Sequence, residues 1–121
     1  MTQQVTLHLL ATEQVQVRGR YEKRDETLSW YEVRLDGTPI GGVARQMITR
    51  ERRTPGRKYV NARWKSPGWT YSKQAGRYRV GDQCSGRRDG VERLLGDAGV
   101  GWSDRDRLAK AAKVARTKDA S

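Results

Sequence analysis

The side chains that most often carry catalysis are scarce in this sequence. His8 is the single histidine and Cys84 is the single cysteine among 121 residues. A nucleophilic thiol needs a neighbouring base, and a zinc site needs several cysteine or histidine ligands. We therefore interpret His8 as an ordinary strand residue and Cys84 as a structural thiol. The sequence predicts neither a metal site nor a nucleophilic centre.

Carboxylates and glycine-rich loops give no stronger catalytic signal. A metal-dependent nuclease needs acidic residues grouped around the metal, whereas Glu32, Asp36 and Asp82 are scattered without a recognisable spacing. None of the glycines forms a phosphate-binding motif at a junction between a strand and a helix. We therefore predict a protein without catalytic residues or cofactor, and we keep a metal-dependent nuclease as the third functional hypothesis.

Positive charge is the strongest signal in the sequence, and it is unevenly distributed. The net charge is +11, yet residues 41–80 alone contain eleven basic residues and a single acidic one, Glu51. The flanking segments, residues 1–40 and 81–121, carry net charges of −1 and +2. Surfaces that serve solubility alone intersperse charges of both signs. A segment of one sign therefore predicts a surface that binds a polyanion.

The predicted binding surface is a basic hairpin and loop between residues 45 and 65. Arginine and lysine contact phosphates, a two-stranded ribbon is narrow enough for a major groove, and an outward tyrosine can stack on a base. The predicted nucleic-acid-binding residues are Arg45, Arg50, Arg52, Arg53, Arg57, Lys58, Tyr59, Arg63 and Lys65. We expect the partner to be nucleic acid, with duplex DNA favoured over RNA.

Other interpretations of the same charge stay open. An acidic surface on a partner protein would also attract this segment, which would make the chain a protein-interaction module or an inhibitor. The basic loop could also be a plain solvated turn. Helix-turn-helix, zinc-finger, homeodomain and ribonucleoprotein signatures are absent from the sequence, so the nucleic-acid hypothesis depends on charge and periodicity.

Composition indicates the kind of organism from which the protein comes and the compartment in which it is expected. Arginine outnumbers lysine by 18 to 7 and phenylalanine is absent, a bias that favours a high-GC bacterium or one of its phages or mobile elements. No apolar run approaches the roughly 18 to 20 residues that span a bilayer, and the first residues lack the pattern of a signal peptide. We expect a cytoplasmic protein without a membrane partner.

Period-two alternation predicts a sheet in residues 1–80. The dipeptide Asp36-Gly37 predicts a type I′ hairpin turn in which Leu35 faces Thr38 and Val33 faces Ile40, with a bulge at Gly41-Gly42. Two further hairpins are predicted, one turning at residues 11–13 and one at residues 66–68, with an exposed loop at residues 50–58. Three tryptophans are expected in the core: Trp30, Trp64 and Trp69.

Helical periodicity replaces this alternation in residues 81–121. Val91, Leu94 and Leu95 predict a helix of about three turns, capped by Ser85 and ended by Gly96 or Gly99. A second helix is predicted from Ser103, with its basic C-terminal end at Lys110, Lys113, Arg116 and Lys118. We therefore predict a single α+β domain, in which a largely antiparallel sheet of five to six short strands precedes two C-terminal helices.

Overall fold

The predicted α+β arrangement is confirmed by a computed structural model of the chain, which describes residues 3–18, 21–52, 55–56, 62–76 and 81–115. Six strands form one sheet in the order β5-β4-β3-β2-β1-β6, and all pairs are antiparallel except β1 with β6. The strands are β1 (Val5–Arg18), β2 (Lys23–Leu35), β3 (Thr38–Arg52), β4 (Ala62–Ser72), β5 (Asp82–Cys84) and β6 (Lys113–Ala115). The helices are α1 (Arg87–Asp97) and α2 (Trp102–Ala111).

The turn between β2 and β3 has the conformation that its dipeptide predicts. Asp36 and Gly37 have φ angles of 50° and 84°, which a type I′ turn requires at both central positions. Leu35 faces Thr38 as predicted. The Asp36 carboxylate also accepts a hydrogen bond of 2.9 Å from the backbone N–H of Gln4, and this contact ties the turn to the start of β1.

A bulge follows this turn one residue earlier than predicted. Pairing moves from Arg34 with Pro39 to Val33 with Gly41, so Ile40 is the additional residue. The predicted pairing of Val33 with Ile40 is therefore wrong, although both side chains contribute to the same apolar cluster. Gly41 has a φ angle of 151° and is buried at this point of the strand.

The predicted hairpin at residues 11–13 is wrong, because β1 is one continuous strand of 14 residues. It pairs with β2 along its whole length and has a bulge at Leu10 instead of a turn. The bulge moves the odd-numbered residues from one face of the sheet to the other: Val5 and Leu7 belong to the core beneath the helices, whereas Ala11 and Val15 pack on the opposite side.

The predicted hairpin at Ser66-Pro67-Gly68 is also wrong. These residues lie within β4 and pair with residues 46–48 of β3. Proline is tolerated there because β5 pairs with residues 69–71 only, so that this part of β4 is an edge among the described residues. Residues 50–52, predicted in a loop, extend β3 instead, and the turn of this longer hairpin includes Pro55 and Gly56.

Two apolar clusters lie on opposite faces of the sheet. The larger one joins α1 and α2 to the first half of β1 and the centre of the sheet, with Leu94 and Val33 fully buried. The smaller one, on the other face, contains Leu28, Trp30 and Ala44. Trp30 is buried as predicted, Trp69 is half-buried, and the prediction for Trp64 is wrong, since 46% of this residue is exposed.

Helix α1 confirms the first predicted helix, with one correction at its start. Its N-cap residue is Gly86 and not the predicted Ser85. The backbone N–H of Ser85 instead donates a hydrogen bond of 2.9 Å to a carboxylate oxygen of Asp89. This bond holds the pKa of the Asp89 carboxyl below its ordinary value. At the other end the N–H of Gly99 bonds to the carbonyl of Gly96, which confirms Gly99 in the C′ position.

Helix α2 is shorter than predicted. It begins at Trp102 and ends at Ala111, and Lys113 belongs to β6, which pairs with residues 6–8 of β1. Pairing with the edge of β1 therefore takes the backbone N–H and C=O groups of residues 113–115, which further turns of α2 would otherwise use. Arg116 and Lys118 lie outside the described residues. Neither described helix has the length and apolar character needed to cross a membrane.

Candidate nucleic-acid interface

The central feature of the candidate site is a fork in the sheet. Pairing between β2 and β3 ends at Ser29 with Arg45. Beyond this point β2 continues along β1 and β3 continues along β4, and no pairing joins β2 to β3 among the described residues. The sheet therefore divides into two ribbons. We call residues 11–18 with 23–28 the first arm, and residues 46–52 with 62–68 the basic arm.

A cleft of about 530 Å³ lies between the two arms. The first arm contributes Glu13, Val15 and Leu28, and the basic arm contributes residues 46–49 and Lys65. Six of its twelve lining residues are polar or charged, and its volume lies within the range of ligand-binding clefts. The fork thus creates a concave surface on the face of the sheet that lies opposite the helices.

Hydrogen bonds fix the floor of the cleft across three strands. The indole N–H of Trp30 in β2 donates to the side-chain oxygen of Gln46 in β3, at 3.2 Å. The amide nitrogen of Gln46 donates in turn to the hydroxyl of Thr70 in β4, at 2.9 Å. Trp30 and Thr70 are both buried, so these bonds satisfy polar groups that burial would otherwise penalise.

Arg45 occupies the base of the fork and is paired with a carboxylate. Its guanidinium lies 3.4 Å from Glu26, which also lies 3.1 Å from Arg24. The Arg45 side chain is 30% exposed, and its pairing with Glu26 joins β3 to β2 just where their backbone pairing ends. The structure therefore places Arg45 as a link between the arms and separates it from the outer basic residues.

Arg50 and Trp64 form the outer part of the basic arm. They face each other across β3 and β4, and residues directly opposite in an antiparallel pair project from the same face. The Arg50 guanidinium donates a hydrogen bond of 2.5 Å to the hydroxyl of Ser66, which restricts its orientation. Lys65, the neighbour of Trp64, is exposed and faces Thr49.

The other predicted residues fall partly on the same arm. Arg52 pairs with Ala62, and Arg63 pairs with Glu51, so two more basic positions join Arg50 and Lys65 at the outer end of the hairpin. The remaining four lie outside the described residues: Arg53, Arg57, Lys58 and Tyr59. The strand register therefore gathers four of the nine predicted residues on the basic arm.

Trp64 is the residue that sequence reasoning assigned to the wrong environment. Leucine, isoleucine, valine and phenylalanine total only 20 of 121 residues, and this shortage predicts a core that includes Trp64. The sequence does carry a contrary signal, because Trp64 stands between Arg63 and Lys65. Basic residues on both sides of an aromatic one are typical of surfaces that bind nucleic-acid bases and phosphates.

The residues with catalytic potential are not brought together. His8 lies in β1 and Cys84 in β5, with three strands between them, a separation of about 19 Å. Burial raises the pKa of the Cys84 thiol, which disfavours the nucleophilic thiolate. Within the described ranges no group of three His, Cys, Asp or Glu side chains is arranged to hold a metal ion.

Comparisons with known proteins give no relative from which a role could be transferred. The chain matches no family model, no curated protein and no solved structure. The basic arm and the cleft beside it are therefore the features of the chain that bear on its function.

Proposed function

We propose that this protein binds nucleic acid through the basic arm and has no catalytic centre of its own. The observation that supports the proposal is the projection of the most basic part of the chain as a two-stranded arm. Seven of the eleven basic residues of 41–80, with Glu51 as the only acidic one, lie in residues 46–68, the hairpin that leaves the sheet at the fork. Such an arm presents a dense positive field to a polyanion, and counterion release then supplies affinity.

The composition of the chain extends the proposal to the source of the protein and the compartment in which it acts. An arginine-rich sequence without phenylalanine fits a phage or mobile element of a high-GC bacterium, and such a protein would meet nucleic acid in the cytoplasm. Part of the arginine excess then reflects codon bias, so the position of the charge carries more weight than the preference for arginine over lysine.

Salt dependence tests the electrostatic proposal. If the arm contacts about five phosphates, log K for a fluorescent duplex should fall against log salt with a slope of about −4 to −5, and with a slope of about −3.5 for a single strand. Fluorescence anisotropy across a salt series measures the slope. An affinity that hardly changes with salt would contradict phosphate binding by the arm.

A second candidate function is docking to a protein partner, and Trp102 favours it. This residue, at the start of α2, is 82% exposed. Its ring is held in place by Arg105, whose guanidinium carbon lies 4.4 Å from the ring centre and whose Nε–H donates to the carbonyl of Val100 at 2.7 Å. A large aromatic side chain held rigidly at a surface is typical of residues that dominate protein interfaces.

Affinity capture with and without nuclease separates the two candidates. With the tagged chain as bait, we expect captured nucleic acid, together with any protein that it carries, to be lost after nuclease treatment. The Trp102→Ala variant should behave like the wild type, because Trp102 lies on α2 and not on the basic arm. Protein that persists after nuclease and disappears with Trp102→Ala would favour the docking function instead.

A further inference from the structure

We propose that the nucleic acid is bound as a single strand, DNA or RNA, whose unpaired bases lie along the concave face of the basic arm. This inference depends on the proposed function and specifies its substrate class. It rests on the position of the exposed Trp64 relative to Arg50 and the cleft.

The relevant side chains occupy one face of β3 and β4. Alternate residues of β3 share one face with their partners in β4: Ala44 with Thr70, Gln46 with Gly68, Ile48 with Ser66, and Arg50 with Trp64. Of these residues, Gln46, Ile48 and Thr70 line the cleft. From Thr70 to Trp64 this row extends about 20 Å along β4. It starts at the floor of the cleft and ends at an exposed indole.

Small residues of β4 shape the middle of this row. A Cβ atom on Gly68 would lie 2.4 Å from the Cδ1 atom of Ile48 and 3.0 Å from a terminal nitrogen of Arg50. Ile48 and Arg50 therefore lean across β4 over a position without a side chain, and Ser66 fixes the guanidinium by its hydrogen bond. The guanidinium is thus held over residues 66–68 of β4, on the face of the ribbon that also carries the exposed indole of Trp64.

This arrangement distinguishes unpaired bases from a duplex. Positive charge alone serves both forms, because both carry phosphates. Trp64 can stack only on a base whose face is accessible, and bases inside a duplex are already stacked on their neighbours. The adjoining cleft adds apolar lining from Val15 and Leu28 and the side chain of Lys65. Stacking surfaces combined with a basic track are the usual means of binding single strands.

The test compares matched probes with the wild type and three variants. A fluorescent single-stranded DNA of mixed sequence, the RNA of the same sequence and the corresponding DNA duplex are titrated at one salt concentration. We expect the wild type to bind at least one single strand about tenfold more tightly than the duplex. Trp64→Ala should lose about tenfold in affinity for that strand, and Trp64→Tyr, which retains an aromatic face, should lose much less.

Trp102→Ala is the control, since it removes another exposed tryptophan from a different element and should leave every affinity unchanged. Quenching of tryptophan fluorescence by the single strand is a second readout, and it should be smaller in Trp64→Ala.

If circular dichroism shows that Trp64→Ala does not fold, the preference of the wild type for a single strand over the duplex and the affinity of Trp64→Tyr still test the inference. Equal affinity for strand and duplex, or full affinity in a folded Trp64→Ala variant, would overturn the inference and leave the proposed function intact. Absence of binding to all three probes would overturn both.

Discussion

Replacing Arg52 and Lys65 with glutamate is expected to weaken nucleic-acid binding about 100-fold at roughly 0.1 M salt. Both positions belong to the outer half of the basic arm, where Arg52 ends β3 and Lys65 is exposed on β4. If each residue contacts one phosphate, the loss is roughly 1.5 kcal/mol per contact, and two contacts give about 3 kcal/mol. The salt slope should also become shallower by about 2. Fluorescence anisotropy across a salt series measures both quantities.

The control for this variant is a second pair of charge-reversing substitutions that changes the net charge by the same amount. Lys110→Glu with Lys113→Glu also lowers the net charge from +11 to +7, but these exposed residues lie in α2 and β6. An effect of total charge alone would weaken both variants equally. We expect the control to bind within about threefold of the wild type, since a field acts mainly within a Debye length. Unchanged binding by the variant at Arg52 and Lys65 would show that the nucleic-acid-binding site does not lie on the basic arm.

The features that sequence analysis predicts correctly are those decided by local chemistry. Asp36-Gly37 accepts two positive φ angles at low cost, so the dipeptide alone specifies the turn. Helix α1 follows from the spacing of Val91, Leu94 and Leu95, because helical contacts span three or four residues. The concentration of basic residues in one segment is likewise a property of the sequence and needs no fold to be seen.

The features that sequence analysis misses are those decided by pairing between distant strands. Ser66-Pro67-Gly68 has the composition of a turn, yet the extension of β3 to Arg52 offers it a pairing partner, and the residues form a strand. Residues 11–13 behave similarly, because β2 is long enough to pair with a continuous β1. In both cases backbone hydrogen bonds to a neighbouring strand outweigh a weak local preference for turning.

The fork explains why the candidate site could be predicted only in part. Arg45 and Arg50 are five residues apart and look equivalent in the sequence. Only the point at which β2 leaves β3 separates them: Arg45 pairs with Glu26 at the base of the fork, whereas Arg50 lies beside Trp64 on the arm. The exposure of Trp64 follows from the same divergence, since the basic arm extends beyond the end of the pairing with β2.

Gly41→Ala is expected to destabilise the fold by about 3 to 4 kcal/mol, a large fraction of the roughly 5 to 15 kcal/mol that stabilises a small domain. The added Cβ would lie 2.4 Å from the carbonyl oxygen of Ser72 and 2.6 Å from the Cδ2 atom of Leu94. A clash with backbone cannot be relieved by a change of rotamer. The φ angle of 151° adds backbone strain, because side chains rarely adopt that conformation. Urea unfolding followed by circular dichroism measures the loss.

Gly37→Ala is the control for these two causes, because Gly37 also has a positive φ angle, 84°, but among the described residues only its chain neighbours come within 4 Å of the added Cβ. It should cost only about 1 kcal/mol, the backbone term alone. The difference between the variants therefore measures the steric cost of the contacts with β4 and α1 together with any additional backbone strain at a φ angle of 151°. Equal losses in the free energy of unfolding would show that β4 and α1 shift to accommodate the added methyl group at the bulge. A larger loss for Gly41→Ala would mean that α1 and β4 hold β3 tightly at the bulge, four residues before the fork.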